Sequence, residues 1–356
     1  MMNLFPDGWR FVLAITLSLL IGFGIQMPVL RMALLRNFVD KPNKRSSHSR
    51  NIPNMGGVIV FIAFFSSCLI FVRFFQNPEF QYILLGSCIL FMIGIYDDLL
   101  KISPKKKLKG ELLGVLVLLI GGGFYLDHFH NFLGMDEITP WIGVPLTVVC
   151  FVGLINAINL IDGIDGLCSG IVFMDTLFLG IWFYTWQQIE YALLCGILVA
   201  SIFPFFIINL CGKRSKMFMG DAGALMVGFL LGVLSVKFCK VDNYINEIVA
   251  GLSFPGMIFS VLAIPILDTL RLFVSRMMRG GSPFVPDKTH LHHKLLIIYQ
   301  GVHRKATITL LSLNLLFIGV GVVGRNWLNE WLIGINVVLF FIVFYIIENL
   351  AKQKIK

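Results

Sequence analysis

The sequence predicts an all-α protein that crosses a membrane many times. Three observations carry this: 57% of its 356 residues are hydrophobic, only 14% are charged, and the mean hydropathy is +0.84. Soluble domains average about 25% charged residues, so the composition alone excludes an ordinary soluble enzyme.

A membrane-crossing helix needs roughly 20 apolar residues, and stretches of that kind recur along the whole chain. Eleven are expected, at about 11–35, 55–75, 80–98, 111–126, 141–160, 166–186, 191–211, 220–237, 248–273, 305–324 and 331–350. The first has no basic leader and no A-x-A cleavage site, so it reads as a retained helix and not a signal peptide. No segment between them is long or polar enough for a separate soluble domain, and no internal repeat is visible. Residues 1–356 therefore read as a single membrane-embedded domain. The seven cysteines are odd in number and scattered, with no C-x-x-C pair. They indicate small buried hydrophobes, not a disulfide framework or a zinc site.

Lys and Arg in the short loops set the expected orientation. Segments 36–55, 101–111, 211–219, 274–305 and 351–356 fall on one side and hold 22 of the 29 Lys and Arg. The opposite side holds Arg10, Arg73, Lys237, Lys240 and Arg325, and its loop 127–140 carries Asp127, Asp136 and Glu137 with no Lys or Arg. The basic side is thus expected to be cytoplasmic, with the N-terminus outside and the C-terminus inside. This bias accounts for the net charge of +9 without any nucleic-acid partner.

The unusual polar residues fall on that same side. The third stretch ends in GIYDDLLK, with Asp97, Asp98 and Lys101. NAINLIDGIDGL, between the fifth and sixth, holds Asn156, Asn159, Asp162 and Asp165. KMFMGDAGAL puts Asp221 at the start of the eighth, and SPFVPDKTHLHHKL carries His290, His292 and His293. The first loop reads VDKPNKRSSHSRNIPNMGG. Taken singly, each has a plainer reading. Paired acids often end a helix in solvent, Gly-Asp is a common helix cap, and Asp162 and Asp165 suit a turn beside Gly163 and Gly166. Acidic residues in or beside membrane spans are costly and usually functional, however. The histidine spacing does not place all three on one helical face, and zinc would want thiolate or carboxylate company, so zinc is not expected there.

Carboxylates and asparagine oxygens without thiolates suit a hard divalent ion such as Mg²⁺, held by one or two protein ligands plus phosphate oxygens. Lysine, arginine and histidine beside such an ion suit a multiply anionic ligand such as a pyrophosphate. A soluble diphosphate meeting a lipid at the membrane mouth accommodates all five segments. Phosphoryl transfer is mostly positioning and charge neutralisation, which this equipment serves.

The ordered set D-D-x-x-K, N-A-x-N-x-x-D-G-x-D-G-L, F-M-G-D-A-G and H-x-H-H, preceded by D-K-P-N…P-x-x-G-G, resembles the polyprenyl-phosphate N-acetylhexosamine-1-phosphate transferases, over about residues 39–295. THLHHKL stands where the peptidoglycan branch carries three consecutive histidines followed closely by an acid. PILDTLRLFVSRMMRGGSPFVPDKTHLHH is instead similar to the WecA/TagO type, which takes UDP-N-acetylglucosamine. The resemblance implies a role for each matched residue. Asp221 would be the principal Mg²⁺ ligand (Mn²⁺ as the alternative) with Asn159 as companion. Asp165 would lie at the uracil ring, with Asp162 and Asn156 in the same loop region. Asp97 and Asp98 would flank the lipid phosphate beside Lys101, and Lys107 would neutralise the diphosphate, although Lys105, Lys106 and Lys109 crowd it. His290, His292 and His293 with Arg279 would line the sugar-phosphate side, and Arg45 and His48 the nucleotide side.

The implied reaction is transfer of N-acetylhexosamine-1-phosphate from a UDP-sugar to undecaprenyl phosphate in a bacterial cytoplasmic membrane, releasing UMP and starting a lipid-linked envelope glycan such as O-antigen or teichoic acid. The implied partners are UDP-N-acetylhexosamine, undecaprenyl phosphate and the bilayer, with a homodimer as an open option. Two alternatives stand beside it: phospho-N-acetylmuramoyl-pentapeptide transfer, and an ion-coupled transporter. The transporter would place acids at mid-span and at both faces, whereas the acids here are expected at one set of helix ends. A metalloprotease would need H-E-x-x-H, and a CDP-alcohol phosphotransferase a D-G-x-x-A-R motif around Asp162; both are absent from the sequence.

Overall fold

The computed structural model describes residues 7–40, 52–212, 216–240, 251–280 and 289–355. Each expected apolar stretch forms a helix, and one forms a broken pair. In order they are α1 (Asp7–Leu35), α2 (Gly56–Phe71), α3 (Glu79–Leu100), α4 (Pro104–Gly122), α5 (Pro140–Ile161), α6 (Leu167–Thr185), α7 (Ile189–Cys211), α8 (Gly220–Cys239), α9 (Phe254–Val261), α10 (Ala263–Met278), α11 (Leu291–Ile298), α12 (His303–Val323) and α13 (Asn329–Ile355). Among the described residues eight of these helices are long and apolar enough to cross a membrane, or nine if α9 and α10 form one span. The remaining two expected spans, α2 and α4, fall short for different reasons. α2 has only 16 residues, and α4 opens with PKKKLKGE, so charge occupies its first two turns.

The ninth stretch bends by 80° between α9 and α10. Pro265 is the third residue of α10. It offers no amide to the carbonyl of Val261 and its ring crowds that carbonyl, so one straight helix cannot pass through. Two short antiparallel hairpins interrupt the otherwise helical chain: β1 (Val39–Asp40) with β2 (Ile52–Pro53), and β3 (His128–Phe132) with β4 (Met135–Glu137). The histidine segment also forms a helix of its own, α11, which the apolar pattern does not reveal.

α8 is the centre of the bundle and is buried along nearly its whole length. Small residues let neighbouring backbones close on it, as in other membrane helix interfaces. A Cβ on Gly94 of α3 would lie 2.3 Å from Ala222 Cα, and one on Gly57 of α2 would lie 2.3 Å from the Gly223 amide nitrogen. The cysteines form no disulfide among the described residues. Cys68, Cys168, Cys195 and Cys239 are buried as expected, but Cys150 and Cys211 are exposed.

The two ends of the bundle differ. One end gathers Arg10–Glu190 (2.7 Å), Arg73–Asp7 (3.2 Å) and Lys240–Asp127 (2.8 Å), so three of the five basic residues assigned to the far side are held in ion pairs there. The other end carries the motif residues.

Candidate active site

Four helix ends meet at Asp221. It sits in the first turn of α8, and its Oδ1 accepts hydrogen bonds from Lys107 Nζ of α4 at 2.8 Å and Asn159 Nδ2 of α5 at 2.5 Å. Lys107 also reaches Asp97 Oδ2, near the end of α3, at 3.1 Å. Asp97 Oδ1 accepts the Ile102 amide at 3.0 Å, which fixes the turn between α3 and α4. Lys105, Lys106 and Lys109 are exposed, so Lys107 alone of the four points into the site.

Asp98 does different work. Its Oδ1 and Oδ2 accept the backbone amides of Asp221 and Ala222, each at 3.0 Å, and Oδ1 also accepts Asn54 Nδ2 at 2.7 Å. The first amides of a helix lack intrahelical partners, and here a carboxylate from α3 satisfies two of them. Asp221 is thereby released from capping its own helix. Gly220 makes the junction feasible: its φ of +76° is one that side chains disfavour, and a Cβ there would lie 2.6 Å from Asn54 Oδ1 and 2.7 Å from Asp98 Oδ2. The P-N-M-G-G segment of the first loop docks alongside, with the amide of Phe218 on the Pro53 carbonyl and the amides of Gly56 and Gly57 on the carbonyls of Phe218 and Met219, all at 2.8 Å.

Asp162 follows the last turn of α5 and accepts the Gly220 amide. Burial pushes its carboxyl well above the usual carboxylate range, and the carboxylates of Asp221 and Asp98 push it the same way. Asn156, one turn before Asn159, donates to Glu111 Oε2 at 2.7 Å and to the Val152 carbonyl at 2.9 Å. Asp97 and Asp221 thus share one inward lysine, with Asp98 and Asp162 beside Asp221. The excess of negative charge and the all-oxygen donor set fit a hard divalent cation such as Mg²⁺ or Mn²⁺.

The Asp165 side of the loop has its own cations. Asp165 Oδ2 lies 2.6 Å from Lys216 Nζ and 3.1 Å from His303 Nδ1, while Oδ1 is buried with no hydrogen-bond partner. Burial alone would raise its carboxyl, but His303 and Lys216 outweigh that and hold it below the usual range. The backbone is fixed as well. Thr307 Oγ1 donates to the Asp165 carbonyl at 2.6 Å, and Asn209 Oδ1 accepts the Gly166 amide while Asn209 Nδ2 donates to the Met217 carbonyl.

His290 stands at the residue before α11, and its ring stacks on His292 with centroids 5.2 Å apart; the centroids of His292 and His293 are 4.3 Å apart. A Cβ on Gly163 would lie 2.7 Å from His292 Nε2, so the histidines abut the aspartate loop. Burial, reinforced by His293 and His290, drives the His292 imidazole well below its ordinary pKa. Behind them, Asp268 of α10 receives His290 Nδ1 on Oδ2 at 2.9 Å and Arg271 Nη2 on Oδ1 at 2.9 Å. Arg271 also donates to the Thr289 carbonyl at 2.8 Å. Ligand atoms of Asp268, His290 and His292 lie within 4.8 Å of one another, so the carboxylate that the sequence did not offer the histidines is supplied by the fold. Both Asp268 oxygens already accept bonds, from His290, Arg271 and the Leu291 amide.

The structure therefore brings together Asp97, Asp98, Lys107, Asn159, Asp162 and Asp221, with Asp165 and the histidines adjoining. Asn156 lies just behind, on Glu111. Lys101 ends α3 in a left-handed conformation and is exposed. Arg279 is exposed beyond the end of α10, and Arg271 stands beside the histidines instead. Arg45 and His48 lie outside the described residues. Sequence reasoning missed Asn54, Glu111, Lys216, Asp268, Arg271 and His303. A signal existed for Asp268 and Arg271, an acid and a base three apart in a largely apolar helix.

The family model described as glycosyl transferase family 4 matches residues 80–239, from α3 to the end of α8. An undecaprenyl-phosphate alpha-N-acetylglucosaminyl 1-phosphate transferase of Yersinia pestis is 30% identical over 330 residues, 91% of this chain and 86% of the relative. A probable undecaprenyl-phosphate N-acetylglucosaminyl 1-phosphate transferase of Bacillus subtilis is 29% identical over 351 residues, 98% and 94% of the two chains. The Escherichia coli K12 relative, named as the Yersinia one is, is 30% identical over 323 residues, 88% and 84%. With likeness on that scale spanning every helix end of the site, the chain belongs to glycosyl transferase family 4.

Proposed function

We propose that this protein transfers N-acetylglucosamine-1-phosphate from UDP-N-acetylglucosamine to undecaprenyl phosphate, releasing UMP. The observation that carries the reading is the convergence of Asp97, Lys107, Asn159 and Asp221 at one end of the bundle, beside a second carboxylate, Asp165, with a buried unpaired oxygen. The names of the relatives supply the acceptor, undecaprenyl phosphate, and the group transferred, N-acetylglucosaminyl 1-phosphate. All eleven apolar stretches cross the membrane in this proposal as one unit, with the site end cytoplasmic and the N-terminus outside, in keeping with the basic loops.

Asp221 and Asn159 would hold the Mg²⁺. Bound there, the ion would gather diphosphate oxygens and offset the charge of the transferring phosphoryl group. Lys107, held between Asp97 and Asp221, presents an ammonium to the same oxygens. A phosphate monoester has a second pKa of about 6, so the lipid phosphate is already largely ionised at neutral pH. Its oxygen attacks the β-phosphorus, the bond from that phosphorus to the bridging oxygen breaks, and UMP leaves with the electron pair. Asp97 orients the attacking phosphate and needs to remove no proton. Asp98 holds the start of α8, and so Asp221, in place. Asp165 Oδ1 accepts from a uracil N–H, while Lys216 and His303 hold its other oxygen. His290, His292 and His293 take the sugar-phosphate side, ordered by Asp268 and Arg271.

The direct test is purified protein with radiolabelled UDP-sugars, undecaprenyl phosphate and Mg²⁺, scoring lipid-extractable label. Label is expected from UDP-N-acetylglucosamine and not from the UDP-muramyl-pentapeptide. Efficient transfer from the peptide donor would overturn the sugar assignment, and no transfer from any donor would overturn the reading.

A further inference from the structure

Asp175 is a buried acid that the proposed reaction does not use. It lies on α6, eight residues past Leu167, and is an exception to the expectation that acids gather only at helix ends. Its partner, Asn314, is on α12, and neither side chain has any solvent exposure. Asn314 Nδ2 donates to Asp175 Oδ1 at 2.7 Å. Asp175 Oδ2 and Asn314 Oδ1 are both buried with no hydrogen-bond partner. Among the described residues, Asn314 is the only polar side chain bonded to Asp175.

A carboxylate in that setting would be a buried charge without a counter-ion, among the costliest arrangements a protein interior can hold. It would also leave two acceptors, Asp175 Oδ2 and Asn314 Oδ1, with no donor between them. One proton removes both difficulties. We infer that Asp175 is the neutral carboxylic acid, its Oδ2–H donating to Asn314 Oδ1, so that acid and amide close a two-bond pair between α6 and α12.

The pair acts as a positioning device for the site. α6 leads directly out of the Asp162–Asp165 loop, and α12 opens with His303 and Thr307, both of which bond Asp165. At a rise of 1.5 Å per residue, Asp175 is ~12 Å from Leu167 along α6, and Asn314 ~10 Å from Thr307 along α12. The acid–amide pair is thus a second fixed point on the two helices whose ends hold Asp165. Its effect on the nucleotide rests on the function proposed above, but the state of the proton does not.

Infrared difference spectra of the full-length protein in lipid bilayers, wild type minus Asp175→Asn, read the proton directly at neutral pH. A protonated carboxylic-acid carbonyl band is expected, and its absence would overturn the inference. Steady-state kinetics with UDP-N-acetylglucosamine read the positioning. Asp175→Asn keeps a donor and an acceptor, so its KM and kcat should stay within about twofold of wild type, whereas Asp175→Leu should raise KM about fivefold or more with kcat little changed. An Asn variant as impaired as the Leu variant would mean that the carboxyl group itself is required and not the two-bond geometry, and would overturn the positioning role. An unchanged KM in Asp175→Leu would overturn the positioning role. If no variant, wild type included, transfers sugar phosphate, the functional reading fails while the infrared band still decides the acid.

Discussion

Lys107 Nζ lies 2.8 Å from Asp221 Oδ1, joining the starts of α4 and α8 across 114 positions of sequence. The same ammonium is 3.1 Å from Asp97, and Asp162 and Asp98 are close enough to feel the charge of Asp221. One cation cannot balance four carboxylates held this close. Because opposite charge stabilises buried carboxylates and like charge does not, the arrangement calls for further positive charge, which the metal proposed for Asp221 and Asn159 would supply.

The first prediction follows from what Asp221 does not do. Asp98, not Asp221, satisfies the opening amides of α8, so Asp221→Asn leaves the cap intact while removing the charge. The variant should insert and unfold like wild type but lose roughly 100-fold or more in turnover, as ~3 kcal/mol of transition-state stabilisation implies. Lipid-extractable label at ordinary Mg²⁺ measures it; near-wild-type turnover would remove Asp221 from the metal role.

Asp98 should show the reverse balance. Losing a helix cap costs about 0.5–2 kcal/mol, and Asp98→Ala strips the acceptor from two amides and from Asn54 at once. Thermal unfolding in detergent should fall by several degrees, with activity lost alongside. Asp98→Asn, which keeps one acceptor oxygen, should be intermediate in stability. Full stability in the alanine variant would contradict the capping role.

Much of this was legible from sequence, and the remainder has identifiable physical reasons. Long apolar stretches announce helices because the backbone must satisfy itself in lipid, and each of the eleven became a helix or a broken pair. The break in the ninth was signalled by Pro265. Motif acids were legible because carboxylates beside apolar runs are costly. Asp98 was grouped with Asp97, since adjacent positions cannot disclose that one carboxylate meets Lys107 and the other the amides of another helix. Lys216 and His303 were hidden among basic loop residues that charge bias already explained. Asp268 and Asp175 look alike in sequence, each the single acid of its helix, yet among the described residues one meets His290 and Arg271 and the other only Asn314.

Asp268 gives the third prediction. Hydrogen bonds to charged groups contribute about 1.5–3 kcal/mol, so Asp268→Asn should lower kcat about tenfold or more. If it acts by ordering His290, the double variant with His290→Ala should be no slower than His290→Ala alone. Fully additive losses would show that Asp268 acts by another route.

Orientation is checked by chemistry at two exposed positions, one in the first turn of α4 and one in the hairpin that follows it. In a cysteine-free background, Lys106→Cys should resist an impermeant maleimide applied to intact cells, while Asn131→Cys, in the β3–β4 hairpin, should react. Equal labelling would overturn the sidedness and with it the cytoplasmic site.

The last prediction concerns acid, and its sign differs from what the number of aspartates suggests. Asp165 is held below the usual carboxylate range by His303 and Lys216. Its contribution to stability is complete above about pH 4 and is lost only as pH falls through its still lower folded value, so mild acid leaves it unchanged. His292 is also depressed, by burial and by His293 and His290, but its unfolded value is near 6.5. Below that pH the unfolded chain takes up a proton that the folded imidazole refuses, and stability falls by up to about 1.4 kcal/mol per pH unit. Between pH 7.5 and 5.5 melting curves in detergent should therefore show wild type losing stability relative to His292→Gln, whose pH slope lacks the His292 contribution, whereas Asp165→Asn should lower stability at both values without changing the slope. An unchanged slope in His292→Gln would mean that the acid sensitivity arises elsewhere.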